Sequence, residues 1–404
     1  MKILFCCENY YPSVGGVQEV MRQVATRLAA EGESVCVATS NHDRRPCDTV
    51  IDGVRVISFA VKGNSVRGIR GPVGAYQDLL RRGGFDAILI KAAQQWTFDA
   101  AVPVLDQVPC RRVFIPCGFS ALGWPEYARY YEQMPRWLGL FDALIFYSRD
   151  GQDLRFARDF PVGPNYLVSN GVDEREFRAA GPTGMRRLLG VPENHQLIVT
   201  IGTRIPAKGH WELLRAFRRA HLCRPSTLVI NANVPGDSPH QRAFYQLKSA
   251  LHGFAPLGLM GSAVRIMQPT KSVRVLDLPR PELVALLRET DLFVLASRSE
   301  YAPLVLYEAV AAGAPFLSTD VGNAREIAED TGAGVVLGTR IVGQRATASL
   351  AHWMKELLGD EARLARMREA GCTAFRSGRF DWRAITARYR AILAGTADTE
   401  LAPD

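Results

Sequence analysis

The chain has 404 residues, a length that suits two hydrophobic cores better than one. At 47% hydrophobic and 22% charged residues, with no biased tract, it has the usage of a soluble globular enzyme, which excludes a disordered or fibrous protein. The formal charge of +8 is mostly arginine, clustered at Arg67, Arg70, Arg81 and Arg82 and at Arg215, Arg218 and Arg219. This balance favours anionic partners, and no helix-turn-helix, zinc-finger or aromatic RNP pattern accompanies it, so nucleic acid is not expected.

The apolar runs near the N-terminus, such as 3–7, are far shorter than a signal-peptide core or a membrane span of about 20 residues. The expectation is a cytoplasmic protein, with the inner face of the membrane as the place a lipid-linked partner would draw it to. The eight cysteines form no C-x-x-C pair and several fall in strand-like runs, which indicates neither a zinc site nor a disulfide framework.

In chain order, an apolar run at 3–7 is followed by a helical pattern at 18–30 and further short runs at 35–39, 87–90, 113–115, 143–147 and 166–168. Such alternation predicts a parallel sheet covered by helices on both faces. The Gly- and Pro-containing stretch 171–194 breaks the pattern and separates two domains, 1–175 and 190–375. The second repeats the scheme with runs at 197–201, 227–230, 273–276, 293–296 and 316–318 and a helix at 210–221. The fold class is α/β, two Rossmann-like doubly wound domains facing each other across a cleft, and in open sheets of this kind ligands bind beyond the carboxyl ends of the strands.

Three motifs follow strands in this scheme. After the first, Asn9 to Gly16 reads N-Y-Y-P-S-V-G-G, and Gly15 and Gly16 would let backbone N–H groups approach a phosphate or a sugar. After the first strand of the second domain, Arg204 and Lys208 bracket a Pro-containing loop and could converge on one anion. At about 4 Å and an effective dielectric near 20, each cation is worth roughly 4 kcal/mol to a charge developing on a diphosphate. The alternative for this pair is two solvated loop cations.

The third motif is Glu300 to Glu308, E-Y-A-P-L-V-L-Y-E, continuing A-V-A-A-G-A-P-F. Pro303 suits the first position of a helix, which would leave the N–H groups of Leu304, Val305 and Leu306 as an anion site at the positive end of the helix dipole. Glu300 lies before that helix and Glu308 in its second turn. One carboxylate could take sugar hydroxyls and the other a ribose diol; the alternative is a surface carboxylate and an ordinary helical glutamate.

Together these residues carry a family resemblance. The chain is similar to the retaining glycosyltransferases of family 4, of the GT-B fold, also called glycosyl transferases group 1. The resemblance rests on E-N-Y-Y-P-S-V-G-G-V-Q-E, on S-N-G-V-D at 169–173, on the Arg204 and Lys208 loop, on Glu300-x7-Glu308, and on F-D-W-R-A-I-T-A-R-Y at 380–389. It implies transfer of a sugar from a nucleotide-diphosphate sugar to a hydroxyl of a glycan, a lipid-linked glycan or a small molecule, as in polysaccharide biosynthesis.

The resemblance also implies residue roles. Arg204 and Lys208 would hold the diphosphate, Glu308 the ribose and Glu300 the transferred sugar, so that Glu300, Arg204 and Lys208 are the catalytic set. Tyr301, Ala302, Pro303, Leu304 and Val305 would line the donor, Gly15 and Gly16 would reach it from the first domain, and a C-terminal helix, 378–396, would cross back onto that domain. Two departures stand out. Tyr301 replaces a common glycine, and no histidine occurs between His42 and His195, so Pro116-Cys117-Gly118-Phe119 stands where many relatives carry one.

No two aspartates are separated by one residue, so the D-x-D metal motif is missing, and metal-independent transfer without a cofactor is expected. Cys117, Gly118 and the aromatic, Arg-rich stretch from Trp124 to Trp137 are the acceptor-side candidates; the stretch suits sugar stacking, a membrane interface or packing onto the sheet. The alternative functions are a nucleotide-sugar binding subunit without activity and a sugar-nucleotide epimerase.

Overall fold

The computed structural model describes residues 1–160, 162–177, 183–234, 240, 243–245, 247, 268–338 and 344–398. The expected linker 171–194 therefore lies outside the described residues at 178–182. The chain forms two compact units, one of Met1–Asn170 with the chain from Trp382 on, the other of Gly171–Asp381.

The first unit carries β1 (Lys2–Cys6), β2 (Ser34–Ser40), β3 (Asp48–Ile51), β4 (Val54–Phe59), the short hairpin β5 (Lys62–Asn64) and β6 (Gly68–Arg70), then β7 (Ala87–Lys91), β8 (Arg111–Ile115), β9 (Ala143–Phe146) and β10 (Asn165–Leu167). Its main sheet has the order β10-β9-β8-β7-β1-β2-β4-β3, parallel throughout except for the β3–β4 pair. The central strands are covered on both faces, which is why they read as continuous apolar runs: β7 is buried at every position, Lys91 included. The helix Gly16–Ala30 buries Val20, Met21, Val24, Ala25 and Leu28, one stripe at helical spacing.

The helix Trp382–Ala394 completes this unit. Its buried residues Trp382, Ile385, Tyr389 and Ile392 recur every three or four positions and lie over β7, β8 and the helix Gly16–Ala30. Polar groups fix it as well. Arg111 Nε donates to the carbonyl of Ile392 at 2.8 Å, and the Tyr389 hydroxyl lies 3.0 Å from that of Tyr147. The Tyr147 hydroxyl in turn accepts from the buried Lys91 Nζ at 2.8 Å.

The second unit carries β11 (Gln196–Ile201), β12 (Ser226–Asn231), β13 (Lys271–Leu276), β14 (Leu292–Leu295), β15 (Phe316–Ser318) and β16 (Gly334–Val336). The sheet is wholly parallel in the order β13-β12-β11-β14-β15-β16. Counted within the unit this is 3-2-1-4-5-6, the doubly wound order, and the direction of winding reverses between β11 and β14. At the edge of the unit the two crossing segments run side by side, with Val172 N–H bonded to the Phe380 carbonyl at 2.9 Å.

The helix after β11 runs His210–Arg219, two residues shorter than the sequence suggests. Ala220 is already extended, and Lys271 Nζ takes the carbonyls of Phe217, Arg218 and Ala220 at 2.7, 3.1 and 2.5 Å, an ammonium satisfying the orphan acceptors of a helix end.

Candidate functional site

The winding reversal of the second sheet brings two of the sequence motifs together. The Arg204 and Lys208 loop follows β11, and the Glu300 loop follows the adjacent β14. Backbone contacts lock one to the other, with Arg298 N–H on the Ala207 carbonyl at 2.7 Å. Gly209 has φ +66°, and a Cβ there would lie 1.8 Å from the Ala296 carbonyl oxygen, so only glycine permits this approach. The loop after β15 closes on the same place: Asn323 N–H bonds the Tyr301 carbonyl at 3.1 Å, and a Cβ on Gly322 would stand 2.3 Å from it.

Within this framework Lys208 Nζ donates to Glu300 Oε1 at 2.6 Å, and Ser297 Oγ donates to the same oxygen at 2.7 Å. Both donors fall on Oε1, and no hydrogen bond from a described residue reaches Oε2. Arg204 goes elsewhere: Nη2 donates to the Ala232 carbonyl at 3.2 Å at the end of β12, while Nε is buried with no hydrogen-bond partner among the described residues. The two cations thus have separate partners.

Sequence reasoning missed His210, which opens the helix after Gly209. Its Nε2 bonds the Gly202 carbonyl at 3.2 Å and Nδ1 is buried without a partner among the described residues. Burial holds its pKa below the usual imidazole value; the carbonyls of Gly202 and Thr203 oppose this, and the charges of Lys208 and Arg204 add to it. A neutral imidazole therefore lies beside both loop cations.

The helix after Glu300 runs Leu304–Ala311. Pro303 is its N-cap rather than its first helical residue, because its ψ of 107° is extended, and Leu306 N–H is taken by the Pro303 carbonyl at 3.2 Å. The N–H groups of Leu304 and Val305, at the first two helical positions, are those without an intrahelical acceptor. No acid occupies the first turn. Tyr301 and Ala302 form the turn into the helix, packed against the Gly322 loop.

Glu308, in the second turn of this helix, accepts from Arg280 Nη1 at 2.6 Å, and Arg280 also forks onto Glu176, Nε to Oε1 at 2.8 Å and Nη2 to Oε2 at 2.7 Å. Neither Arg280 nor Glu176 was singled out from the sequence. The local signal was Arg280 itself, a cation at the start of the helix Arg280–Arg288, where the dipole disfavours it. Among the described residues no three His, Cys, Asp or Glu side chains gather as metal ligands.

The remaining candidates belong to the first unit. Gly15 is the N-cap of the helix Gly16–Ala30, with an extended backbone lying under the Gln18 side chain. Cys117 and Gly118 follow β8, with φ of 60° and 86°, and Phe119 continues the left-handed run at 48°. The loop after the neighbouring β7 has two more such residues, Ala92 at 69° and Gln94 at 64°. Non-glycine residues in this region cost about 1–3 kcal/mol each, and such strain persists only where the surroundings fix it.

Here they do. Asp153 Oδ2 accepts from Gly118 N–H at 2.8 Å, Gln152 Nε2 donates to the carbonyls of Gly118 and Phe119 at 2.6 and 2.7 Å, and Gln94 N–H reaches the Tyr130 hydroxyl at 2.8 Å. The Cys117 thiol is pushed up to about 11 by burial, against the pull of the Lys91 charge, so it is protonated at neutral pH. Of the aromatic stretch, Tyr127, Tyr130 and Tyr131 pack into the core, whereas Trp124 is 51% exposed. No helix among the described residues is long and apolar enough to cross a membrane.

Comparison with known proteins fits this geometry. Residues 271–373, which include Glu300 and Glu308, match the family model described as Glycosyl transferases group 1. A D-inositol 3-phosphate glycosyltransferase of Thermobispora bispora is 34% identical over 228 residues, 56% of this chain and 49% of that protein. The chain spans about half the length of the curated relatives it matches.

Among solved structures, sucrose-phosphate synthase from Thermosynechococcus elongatus is similar with a TM-score of 0.72 at 19% identity, over 98% of this chain and 99% of that one. Anabaena HepE in complex with UDP gives a TM-score of 0.71 at 18% identity, over 98% and 100%. The same protein has been solved with UDP-glucose. The fold is GT-B, built from two Rossmann-like units.

Proposed function

We propose that this chain is a glycosyltransferase that moves a sugar from a nucleoside-diphosphate sugar to a hydroxyl group, with the donor held by the second unit. The observation that carries this reading is the Lys208–Glu300 contact at the winding reversal of the second sheet. In a sugar nucleotide, the sugar and the diphosphate meet at one C–O bond. A cation suited to phosphate touching a carboxylate suited to sugar hydroxyls matches that junction. The group 1 match over the Glu300 and Glu308 segment supports the assignment.

In this mechanism the bond between the anomeric carbon and the diphosphate oxygen breaks, and its electron pair stays on the oxygen. Lys208, Arg204 and the N–H groups at Leu304 and Val305 stabilise the charge that develops there. Glu300 orients the sugar by accepting its hydroxyls on Oε2, and Glu308 holds the ribose. The acceptor hydroxyl bonds to the anomeric carbon from the face the diphosphate leaves, and its proton passes to the departing phosphate oxygen, which gives retention without an enzymic nucleophile. The reading assigns no part to a metal.

The acceptor is proposed to be a glycan, a lipid-linked glycan or a small polyol. Phosphorylated polyols come first for trial, given the names of the curated relatives and the +8 charge. A lipid-linked acceptor would bring the first unit, with Trp124, Arg129 and Arg136 exposed, to an anionic membrane face.

The test is a panel of UDP, GDP and ADP sugars with inositol phosphate and glycan acceptors in the presence of EDTA, followed by release of free nucleotide. UDP-glucose heads the panel because HepE has been solved with it. Nucleotide release with a new glycoside is the expected result. Binding without release with every donor would mark an inactive binder, conversion of the donor's sugar without release an epimerase, and release only on adding a divalent ion would remove the metal-free part of the proposal.

A further inference from the structure

One residue grips the loop that carries Lys208 from both sides. Arg298 lies between β14 and Glu300, and its N–H donates to the carbonyl of Ala207, the residue before Lys208, at 2.7 Å. Its guanidinium Nη2 donates to Oε1 of Glu212, four residues after Lys208 in the first turn of the helix His210–Arg219. That helix is a firm anchor, because it buries Trp211, Leu213, Leu214, Ala216 and Phe217 and packs along the helix Gln344–Gly359. Glu212 is the enclosed member of the pair, its side chain 7% exposed against 43% for Arg298. Its Oε2 is buried with no hydrogen-bond partner among the described residues.

A first-turn acid suits the helix dipole at an exposed position equally well, so the dipole does not explain why this one is buried. Burying it with one oxygen unpartnered is costly, and two apolar side chains of similar volume would fill the space without that cost. What the ion pair adds is direction. The loop into Glu300 is otherwise held by main chain, at the Ala207 carbonyl and at the Ser297 carbonyl, which accepts from Thr319 Oγ1 at 2.6 Å. We propose that Arg298 is a positioning residue for the Lys208–Glu300 pair: anchored on the buried Glu212, it fixes the Glu300 loop against the Lys208 loop and so sets the spacing of ammonium and carboxylate. This rests on the donor reading given above, and it adds a residue that acts through Lys208 and Glu300 rather than on the donor. Misplacing reacting groups by about 1 Å can cost about 10²-fold in rate. The main-chain bonds limit the displacement here, so a loss of about tenfold is expected.

Steady-state nucleotide release by the full chain, with UDP-glucose first and then the other UDP, GDP and ADP sugars of the panel above, tests this alongside urea unfolding. Arg298→Met with Glu212→Leu replaces the pair by apolar side chains and should keep or raise the urea midpoint. Its turnover should nonetheless fall about tenfold, with the KM for the donor little changed. Arg298→Lys, which keeps the charge but not the planar group, should lie between the parent and that protein. Introduced into Lys208→Ala, the same apolar pair should cost nothing further, because the contact it aligns is already gone.

Full turnover in the apolar-pair protein would overturn the proposal, and so would losses that multiply when the pair is combined with Lys208→Ala. If the apolar pair fails to fold, Glu212→Gln gives the same reading with one atom changed: lower turnover at the parent's midpoint supports the role, and unchanged turnover overturns it. A loss of turnover confined to variants with a lower midpoint would mean that the pair only supports the fold, which overturns it too. A parent that releases no nucleotide from any donor of the panel overturns the transferase reading itself, and this inference with it.

Discussion

Lys208 Nζ lies 2.6 Å from Glu300 Oε1, so the cation proposed for the diphosphate and the carboxylate proposed for the sugar form an ion pair with each other. Each side chain holds the other in place, and Ser297 steadies the carboxylate from a second side. An arriving donor has only to share the ammonium, whose three N–H bonds can serve a carboxylate and a phosphate together.

Lys208→Ala should lower turnover about 10² to 10³ fold, as for loss of one donor to a developing oxyanion, with a smaller change in KM. Arg204→Ala should fall in the same range. Steady-state nucleotide release measures both, and near-normal turnover in either variant would remove that residue from the leaving-group role.

Gly209→Ala should be among the most damaging small substitutions in the second unit. The left-handed backbone alone costs about 1–3 kcal/mol, and the new methyl would collide with the Ala296 carbonyl, which is main chain and cannot swing away. Urea unfolding of this variant should show a lower midpoint, with activity falling further than stability because the Lys208 loop leaves β14. Gly74→Ala is the control: it opens a helix with nothing within 4 Å of the added carbon, and it should be neutral or slightly stabilising.

His210 predicts a pH dependence of definite sign. Burial, the first of its causes, holds the folded pKa below the ordinary imidazole value, so on acidification the unfolded chain takes the proton first. The unfolded state then binds more protons than the native one, and stability falls as pH drops below the unfolded value near 6.5, levelling once the folded pKa is passed. His195 is shifted the same way, by burial and then by the Arg186 charge, and adds to the slope. His210→Gln should flatten the fall in urea midpoint between pH 7.5 and 5.5; an unchanged slope would show that the group titrates normally.

Lys91 is a fully buried amine whose pKa is lowered by burial, with the Tyr147 hydroxyl as its hydrogen-bond partner. Tyr147→Phe should cost about 1–3 kcal/mol by leaving that amine without its bond, whereas Tyr147→Phe with Lys91→Met should recover most of the loss, because removing both partners removes the desolvation problem. Thermal or urea unfolding of the two proteins decides this, and an unrecovered double variant would point to packing instead.

A lipid-linked acceptor predicts that the chain binds vesicles of anionic phospholipid at low salt and that an Arg129→Ala, Arg136→Ala protein binds them less. Both arginines lie on the exposed face of the helix Ala128–Leu138, opposite the buried Tyr130, Tyr131, Met134 and Leu138. A parent that ignores such vesicles ends the membrane part of the proposal.

The parallel strands were legible because burial on both faces leaves only apolar residues to read, and the strand-to-loop junctions carried the Glu300 and Lys208 motifs with them. The β3–β4 hairpin was overlooked although its signal is present: Asp52 and Gly53 both have positive φ, at 51° and 80°, in a two-residue turn between alternating strands. The helix start at Pro303 was misjudged by one position, since proline fixes φ but leaves ψ to its surroundings. Arg280 and Glu176 lie 104 residues apart in sequence, so the oddity of a cation at a helix start does not tell which carboxylate it meets.

The helix Trp382–Ala394 gives the protein an order of assembly. The strands of the first unit are made before the second unit, yet the Tyr389 hydroxyl and the apolar stripe over β7 and β8 are supplied only after the second unit has been synthesised. On the ribosome, then, the second unit has all its strands before the first has its last helix. Until that helix arrives, Tyr147 waits without Tyr389 and one face of the first sheet stays wet. A chain halted after Asp381 should hold a complete second unit and an open first one, a state that an apolar dye or a chaperone would recognise.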